Sequence, residues 1–287
     1  MQNISDCSIR VKAIALAAGA SAAGIAHASD LAEFRRYSEA VTMVPSGLSY
    51  LSRDPLKRKS IKKWHAGTRS VLVCAFRYWA PGRDYAAELA AAGDAAAFLT
   101  GSGRVAYQPE LAAAPGAQLS RYALCRDYHL TVKEKLAAML VEIQKEFPCG
   151  DSKIFCDTSP VMEKELGRLA GLGFRGKNTL LLSRELGSYF FLGGIALAMD
   201  LKPDAPSADS CGACELCVKA CPTGALKNGK LDASLCVSYW TTQARMKIPA
   251  EIAEKTKGFA YGCDLCQEAC PHNQAPGPTA PGFEQLK

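Results

Sequence analysis

No apolar run in this 287-residue chain is long enough to span a bilayer, so membrane insertion is not expected. Histidine is scarce: His27, His65 and His272 stand isolated and suggest no mononuclear metal site. No internal repeat is evident beyond two cysteine runs near the end. A convincing leader is lacking too. Arg10 and Lys12 precede an alanine-rich stretch ending in Ala26-His27-Ala28, which imitates a signal peptide. Its would-be hydrophobic region, Ala13 to Ala26, has only Ile14, Leu16 and Ile25 as large apolar residues, and its alanines and leucine favour a helix. A hydrophobic content of 48% is that of a soluble globular protein, and a formal net charge of +6 suits a polyanionic partner such as RNA without requiring one.

Cysteine is what the chain has in quantity, with 13 residues. Cys211-x2-Cys214-x2-Cys217-x3-Cys221-Pro222 has the bacterial ferredoxin spacing, in which three cysteines grip one 4Fe-4S cube and the fourth crosses to another. The proline ends the ligand loop by removing an amide and fixing φ. The second run, Cys263-x2-Cys266-x3-Cys270-Pro271, is one cysteine short, and Cys236 between the runs is the natural eighth ligand. Crossed ligation assigns Cys211, Cys214, Cys217 and Cys270 to one cluster, and Cys221, Cys236, Cys263 and Cys266 to the other. A zinc ribbon does not ask for this run, and a disulfide framework does not suit a cytosolic chain. Cluster cysteines need a reducing compartment, so a cytoplasmic location is expected.

Length predicts a catalytic core over residues 1–203, a cluster domain over 204–275 and a proline-rich tail over 276–287. Val71 to Tyr78 reads as a buried, central strand. Residues 83–118 read as a surface excursion with a short helix. Arg126 to Phe147 has apolar residues at near-helical spacing and reads as an amphipathic helix. Lys153 to Cys156 is a second strand, and Ser159-Pro160 reads as the opening of a helix. Gly187 to Met199 is strand-like, its paired glycines suggesting a bulge or a close backbone approach to a ligand. Alternating strands and helices argue for an α/β layer. Gly171-x-Gly173-x-x-Gly176 has the glycines of a dinucleotide fingerprint but follows a helix rather than a strand, which argues against a nicotinamide site.

Asp157 to Gly194 (DTSPVMEKELGRLAGLGFRGKNTLLLSRELGSYFFLGG), with Ser120 to His129 (SRYALCRDYH) and Tyr261 to Asn273 (YGCDLCQEACPHN), resembles epoxyqueuosine reductase. The likeness runs from about residue 8 to residue 273, with several unrelated motifs in the right order. It implies an α/β (α+β) nitroreductase-like cobalamin-binding core followed by a ferredoxin-like domain with two 4Fe-4S clusters. The implied reaction reduces epoxyqueuosine to queuosine at the tRNA wobble position, with cobalamin as cofactor and an external low-potential electron donor. The implied protein is a monomer without membrane association. Asp157 matches the proposed general acid, Arg53 the polar edge of the corrin, Leu181 and Leu192 its lining, and Ser238 the inner face of the cluster domain. Burial against the corrin would raise the pKa of Asp157, while the adjoining helix N-terminus would lower it. Read without the resemblance, Asp157 is a capping carboxylate worth about 1 kcal/mol, Arg53 belongs to a solvated charge run, and the leucines are plain core.

There are departures as well. The resemblance implies a helical, repeat-like C-terminal domain that contacts tRNA, which makes this a short form. Cys125 stands where glycine is expected. Arg121, Tyr122 and Arg126 can approach RNA phosphates or stack on a base, or Tyr122 can serve the core. Asp127-Tyr128-His129 begins like a cobalt-ligating D-x-H-x-x-G motif, but Val132 stands in place of the glycine, so His129 reads as structural. Two other classes remain: a corrinoid reductive dehalogenase, whose twin-arginine signal Arg35-Arg36 does not supply, and an iron-sulfur electron carrier, which would leave the core without a role.

Overall fold

The computed structural model describes residues 3–274 and 277–284. Met1, Gln2, Ala275, Pro276 and Gln285 to Lys287, which include the first and last residues of the expected tail, lie outside the described residues. The chain opens with helix α1 (Ile4–Ala17), capped by the Asn3 side chain, and then strand β1 (Ala22–His27). The alanine-rich segment expected to be wholly helical is therefore divided between the two. The helix ends at Ala18-Gly19, where Gly19 takes φ 93°, and the rest of the segment is used as a sheet edge.

After α2 (Phe34–Val41), α3 (Pro55–Lys59) and α4 (Ile61–Trp64) comes β2 (Ser70–Arg77), buried at every position. Residues 83–118 carry three short helices, α5 (Tyr85–Ala92), α6 (Ala95–Gly101) and α7 (Pro109–Ala112), then the two-residue strand β3 (Gln118–Leu119). The long helix α8 (Tyr128–Glu146) leads to β4 (Lys153–Phe155), α9 (Glu163–Leu169), the small hairpin β5 (Phe174–Arg175) and β6 (Leu181–Leu182), and β7 (Phe190–Leu197).

The main sheet has the order β1-β2-β7-β4, and every neighbouring pair is antiparallel. The continuous apolar run of β2 follows from burial on both faces. Leu72, Cys74 and Phe76 join the core shared with α1 and α8, whereas Val71, Val73 and Ala75 join the core shared with α9. A sheet sandwiched between helical layers needs no polar alternation.

The paired glycines of β7 make neither a bulge nor a ligand contact. Gly193 and Gly194 pair in register with Cys74 and Val73, and what approaches them is protein. A Cβ on Gly194 would stand 2.4 Å from the Leu72 carbonyl oxygen and 2.5 Å from the Phe155 ring, and one on Gly193 would meet Val132 and Leu136 of α8.

The C-terminal part contains α10 (Leu216–Ala220), a hairpin of β8 (Leu226–Lys227) and β9 (Lys230–Leu231), α11 (Val237–Thr242), α12 (Ala250–Ala253), β10 (Phe259–Tyr261) and α13 (Leu265–Glu268). It is stitched to the core by parallel pairing of β10 with β3. The following segment returns to the core: Ala280 N–H donates to the Arg77 carbonyl at 2.7 Å, and Phe283 is fully buried against Phe76 and Phe191.

Because the atoms facing Gly194 are backbone and a packed ring, Gly194→Ala is expected to lower stability by about 1–3 kcal/mol. Gly101→Ala, where nothing lies within 4 Å, is expected to leave the unfolding midpoint unchanged or slightly raised. Thermal unfolding of the two variants beside the parent checks both.

Candidate functional site

Asp157 lies just past β4 with φ 50°, a left-handed backbone that costs a residue with a Cβ about 1–3 kcal/mol and persists only when its surroundings enforce it. Several bonds do so. Thr158 N–H donates to the Cys156 carbonyl at 2.6 Å, Val161 N–H to the Ser159 carbonyl at 2.7 Å, and Asp157 N–H to the Glu163 carboxylate. The helix expected to open at Ser159-Pro160 therefore starts at Glu163, because residues 157–162 are occupied in presenting Asp157.

The side chain of Asp157 is held by α8. Asp127 caps that helix, accepting from His129 N–H at 2.9 Å and facing His129 Nδ1 at 2.8 Å. His129 Nε2 stands 2.8 Å from Asp157 Oδ2. An imidazole between two carboxylates satisfies both only by donating from both nitrogens, which is its protonated form. The bond to Asp157 indeed raises the His129 pKa above its ordinary value, helped by Asp127 and opposed by burial. Tyr128 also hydrogen-bonds Asp157, and its ring stacks on Phe191 with centroids 4.2 Å apart and planes 5° apart.

Opposed effects act on the two carboxyl groups. Burial pushes Asp157 up, but the hydrogen bonds from His129 and Tyr128 and the charges of His129 and Lys133 outweigh it and hold the group below the ordinary carboxylate value. Burial likewise pushes Glu163 up, the charge of Asp157 adds to it, and the opposing Asp157 N–H, His129 and Lys164 leave it at about 8. These shifts favour placing protons on His129 and Glu163 rather than on Asp157. Although burial is the largest influence on both acids, the Asp157 side chain is 54% exposed and Glu163 is half-buried. Solvent therefore reaches both groups.

Tyr50, on the turn before Arg53, lies within electrostatic reach of Asp157. Arg53 itself is exposed. Leu181 is buried and Leu192 half-buried, and the two side chains meet over Gly167 of α9, where a Cβ would stand 2.8 Å from Leu181 Cδ2. Ser238 is half-buried, and its N–H donates to the Cys236 sulfur.

Cys211, Cys214, Cys217 and Cys270 line one cavity together with Lys177, Asn178 and Leu182. Cys221, Cys236 and Cys263 share a second neighbourhood with Cys266, which also feels Cys217 of the first group. Backbone N–H groups of Val218, His272 and Asn273 point at sulfurs of the first group, and those of Ser238, Tyr239 and Leu265 at sulfurs of the second. Burial pushes the thiols of Cys217, Cys236, Cys266 and Cys270 up, and that of Cys263 to about 12. Two sets of four soft ligands with amide donors at their sulfurs fit two iron-sulfur cubes. Among the described residues, no group of three or more His, Cys, Asp and Glu side chains is gathered for a single ion.

Sequence reasoning missed His129 and Glu163. His129 was set aside because the D-x-H-x-x-G match fails at Val132, and that test concerned cobalt rather than a carboxylate 28 positions away. Glu163 carries no motif signal beyond standing six residues after Asp157. Removing the acceptor of His129 Nε2 tests the coupling. In Asp157→Asn the His129 pKa is expected to fall towards the unperturbed value of about 6.5, so the ring loses its charge at lower pH than in the parent. NMR titration of the imidazole signals, few in this chain, reads that shift.

Residues 58–158 match the model of "Epoxyqueuosine reductase QueG, DUF1730", and residues 210–273 that of the "4Fe-4S double cluster binding domain". Curated epoxyqueuosine reductases are similar in sequence: that of Leadbetterella byssophila is 42% identical over 169 residues, 58% of this chain and 56% of the relative. That of Pseudomonas aeruginosa is 42% identical over 188 residues, 64% of this chain and 51% of the relative. The chain thus spans about half the length of the curated relatives it matches. Among solved structures, an epoxyqueuosine reductase with an epoxyqueuosine-modified tRNA stem loop superposes with a TM-score of 0.79 at 24% identity, over 99% of this chain and 70% of that one. The enzyme from Streptococcus thermophilus gives 0.75 at 24% identity, over 95% and 67%. A catabolic reductive dehalogenase gives 0.54 at 18% identity, over 95% and 32%, so the fold is common to both kinds of protein. Matched models, curated relatives and fold agree: the chain is similar in sequence to epoxyqueuosine reductases and shares their fold.

Proposed function

We propose that this chain reduces epoxyqueuosine to queuosine in tRNA, with Asp157 delivering a proton to the epoxide oxygen. The observation that carries the reading is the solvent-exposed Asp157 carboxylate, bonded to His129 Nε2, with Glu163 accepting the Asp157 N–H. A relative named for this reaction and a related structure holding a modified tRNA stem loop support the substrate. The exposed Asp157 carboxylate is accessible to a bound corrin, with Arg53, Leu181, Leu192 and Ser238 as its proposed contacts. Cys211, Cys214, Cys217 and Cys270 would hold one 4Fe-4S cluster, and Cys221, Cys236, Cys263 and Cys266 the other. When bound, the clusters supply one-electron transfer from an external low-potential donor, and cobalamin supplies the reductive chemistry at carbon.

Release of the epoxide oxygen as water consumes two electrons and two protons. The chain's own part is to hold and move those protons. Asp157 is ionised at neutral pH, so it acts as an acid by passing on the proton that His129 Nε2 offers to its Oδ2. Glu163 keeps the second proton beside it. Covering Asp157 and Glu163 would exclude water and push both carboxyls further up, which favours delivery. The exposed cations Lys59, Lys62 and Lys63, on the segment that follows Tyr50 and Arg53, suit tRNA phosphates. The proposed division is a core over 1–203 and a cluster domain over 204–275, acting as a cytoplasmic monomer.

Nucleoside mass spectrometry of epoxyqueuosine-bearing tRNA, incubated anaerobically with the reconstituted protein, cobalamin and reductant, is expected to show loss of one oxygen; no conversion at full cofactor loading would refute the reading. Asp157→Asn is expected to slow conversion by about 10²–10⁴-fold. Because Glu163 is protonated below about 8, its proton is lost as pH rises through that value, and the parent rate should fall there. Glu163→Gln should lose that limb of the pH profile.

A further inference from the structure

The β5–β6 hairpin offers a hydrogen-bond donor that nothing among the described residues accepts. Asn178 is only 4% exposed. Its Oδ1 accepts Leu180 N–H at 3.2 Å, which fixes the orientation of the amide, since a flip would turn an NH2 against that N–H. Its Nδ2 is buried with no partner. The turn that carries it is tightly built. Thr179 takes φ 65° and donates its N–H to the Gly176 carbonyl at 3.0 Å, and a Cβ on Gly176 would stand 2.6 Å from Asn178 Oδ1. A buried donor without an acceptor costs about 1–3 kcal/mol, so its persistence calls for a partner outside the chain. Asn178 lines the cavity of Cys211, Cys214, Cys217 and Cys270. Lys177 beside it is turned towards Glu215, 3.6 Å from Nζ to Oε1.

We propose that Asn178 Nδ2 donates a hydrogen bond to a sulfur of the 4Fe-4S cluster held by these four cysteines and raises its reduction potential. This inference rests on the ligand sets proposed above. Reduction adds one electron, taken from a low-potential donor, and spreads negative charge onto the sulfurs. A donor at a sulfur therefore stabilises the reduced state more than the oxidised one. Both groups of cysteines have backbone donors, and Cys221 of the second faces the Thr223 hydroxyl at 3.6 Å, whereas the buried amide without an acceptor lies at the first.

The test is potentiometric titration of the reconstituted full chain, followed by electron paramagnetic resonance, for the parent, Asn178→Leu and Asn178→Ala. The equilibrium constant for reducing one cluster is expected to drop roughly tenfold in both variants, about 59 mV for a one-electron couple, with the other cluster unmoved. Unchanged midpoints at full iron content, or equal movement of both clusters, would overturn the proposal. If Asn178→Leu fails to take up its clusters, Asn178→Ala, which introduces no bulk, decides alone. A parent chain that binds one cluster or none would instead overturn the ligand sets, and conversion of tRNA, measured separately, has no bearing on these midpoints.

Discussion

The bond between His129 Nε2 and Asp157 Oδ2 ties together the two halves of the site. It joins the first turn of α8 to the strained loop after β4, and it explains why a carboxyl group amid so much protein stays ionised. Without it, the upward push of burial on Asp157 would be opposed only by Tyr128 and Lys133. With it, Asp157 is held below the ordinary carboxylate value while His129 and Glu163 are raised above theirs. The aromatic stack of Tyr128, Phe191 and Phe283 extends this arrangement inwards, so the returning C-terminal segment is part of what keeps α8 in place.

A second set of contacts joins the core to the cysteine-bearing part. Asp264, fully buried between Cys263 and Cys266, accepts from the Ser120 hydroxyl and from Arg121 N–H at 2.8 Å. The Arg121 guanidinium also reaches Glu268 at 2.6 Å and lies over the Tyr85 ring, 4.3 Å from its centroid. Asn273 accepts from Ser188 N–H, just before β7, at 2.6 Å. A buried ion pair adds little net stability, but it fixes one geometry, since any other leaves a charge stranded. Ser120 and Arg121 belong to the segment that leads into Tyr128 and His129, so proton and electron supply share a short stretch of backbone.

Much of this was legible in the residues. The unbroken apolar run of β2 announced a strand covered on both faces, and the cysteine spacing announced two groups of four, of which Cys211, Cys214, Cys217 and Cys270 line one cavity. The DTSPV segment pointed to Asp157. The helix start at Ser159-Pro160 was misjudged because proline at a first turn is a local signal, and the demand of the Asp157 loop overrode it. The glycines of β7 mark close packing against Leu72 and Phe155, which only the register reveals. His129 and Glu163 reach Asp157 through tertiary folding, which no spacing rule encodes, and the lone amide of Asn178 is visible only where the chain has closed around it.

The proposed function needs a corrin held against Asp157 and two clusters held by the eight cysteines. Metal analysis of the anaerobically reconstituted protein after removal of free cobalamin tests it most directly. The account predicts about eight irons and about one cobalt per chain; full iron with no retained cobalt would contradict it.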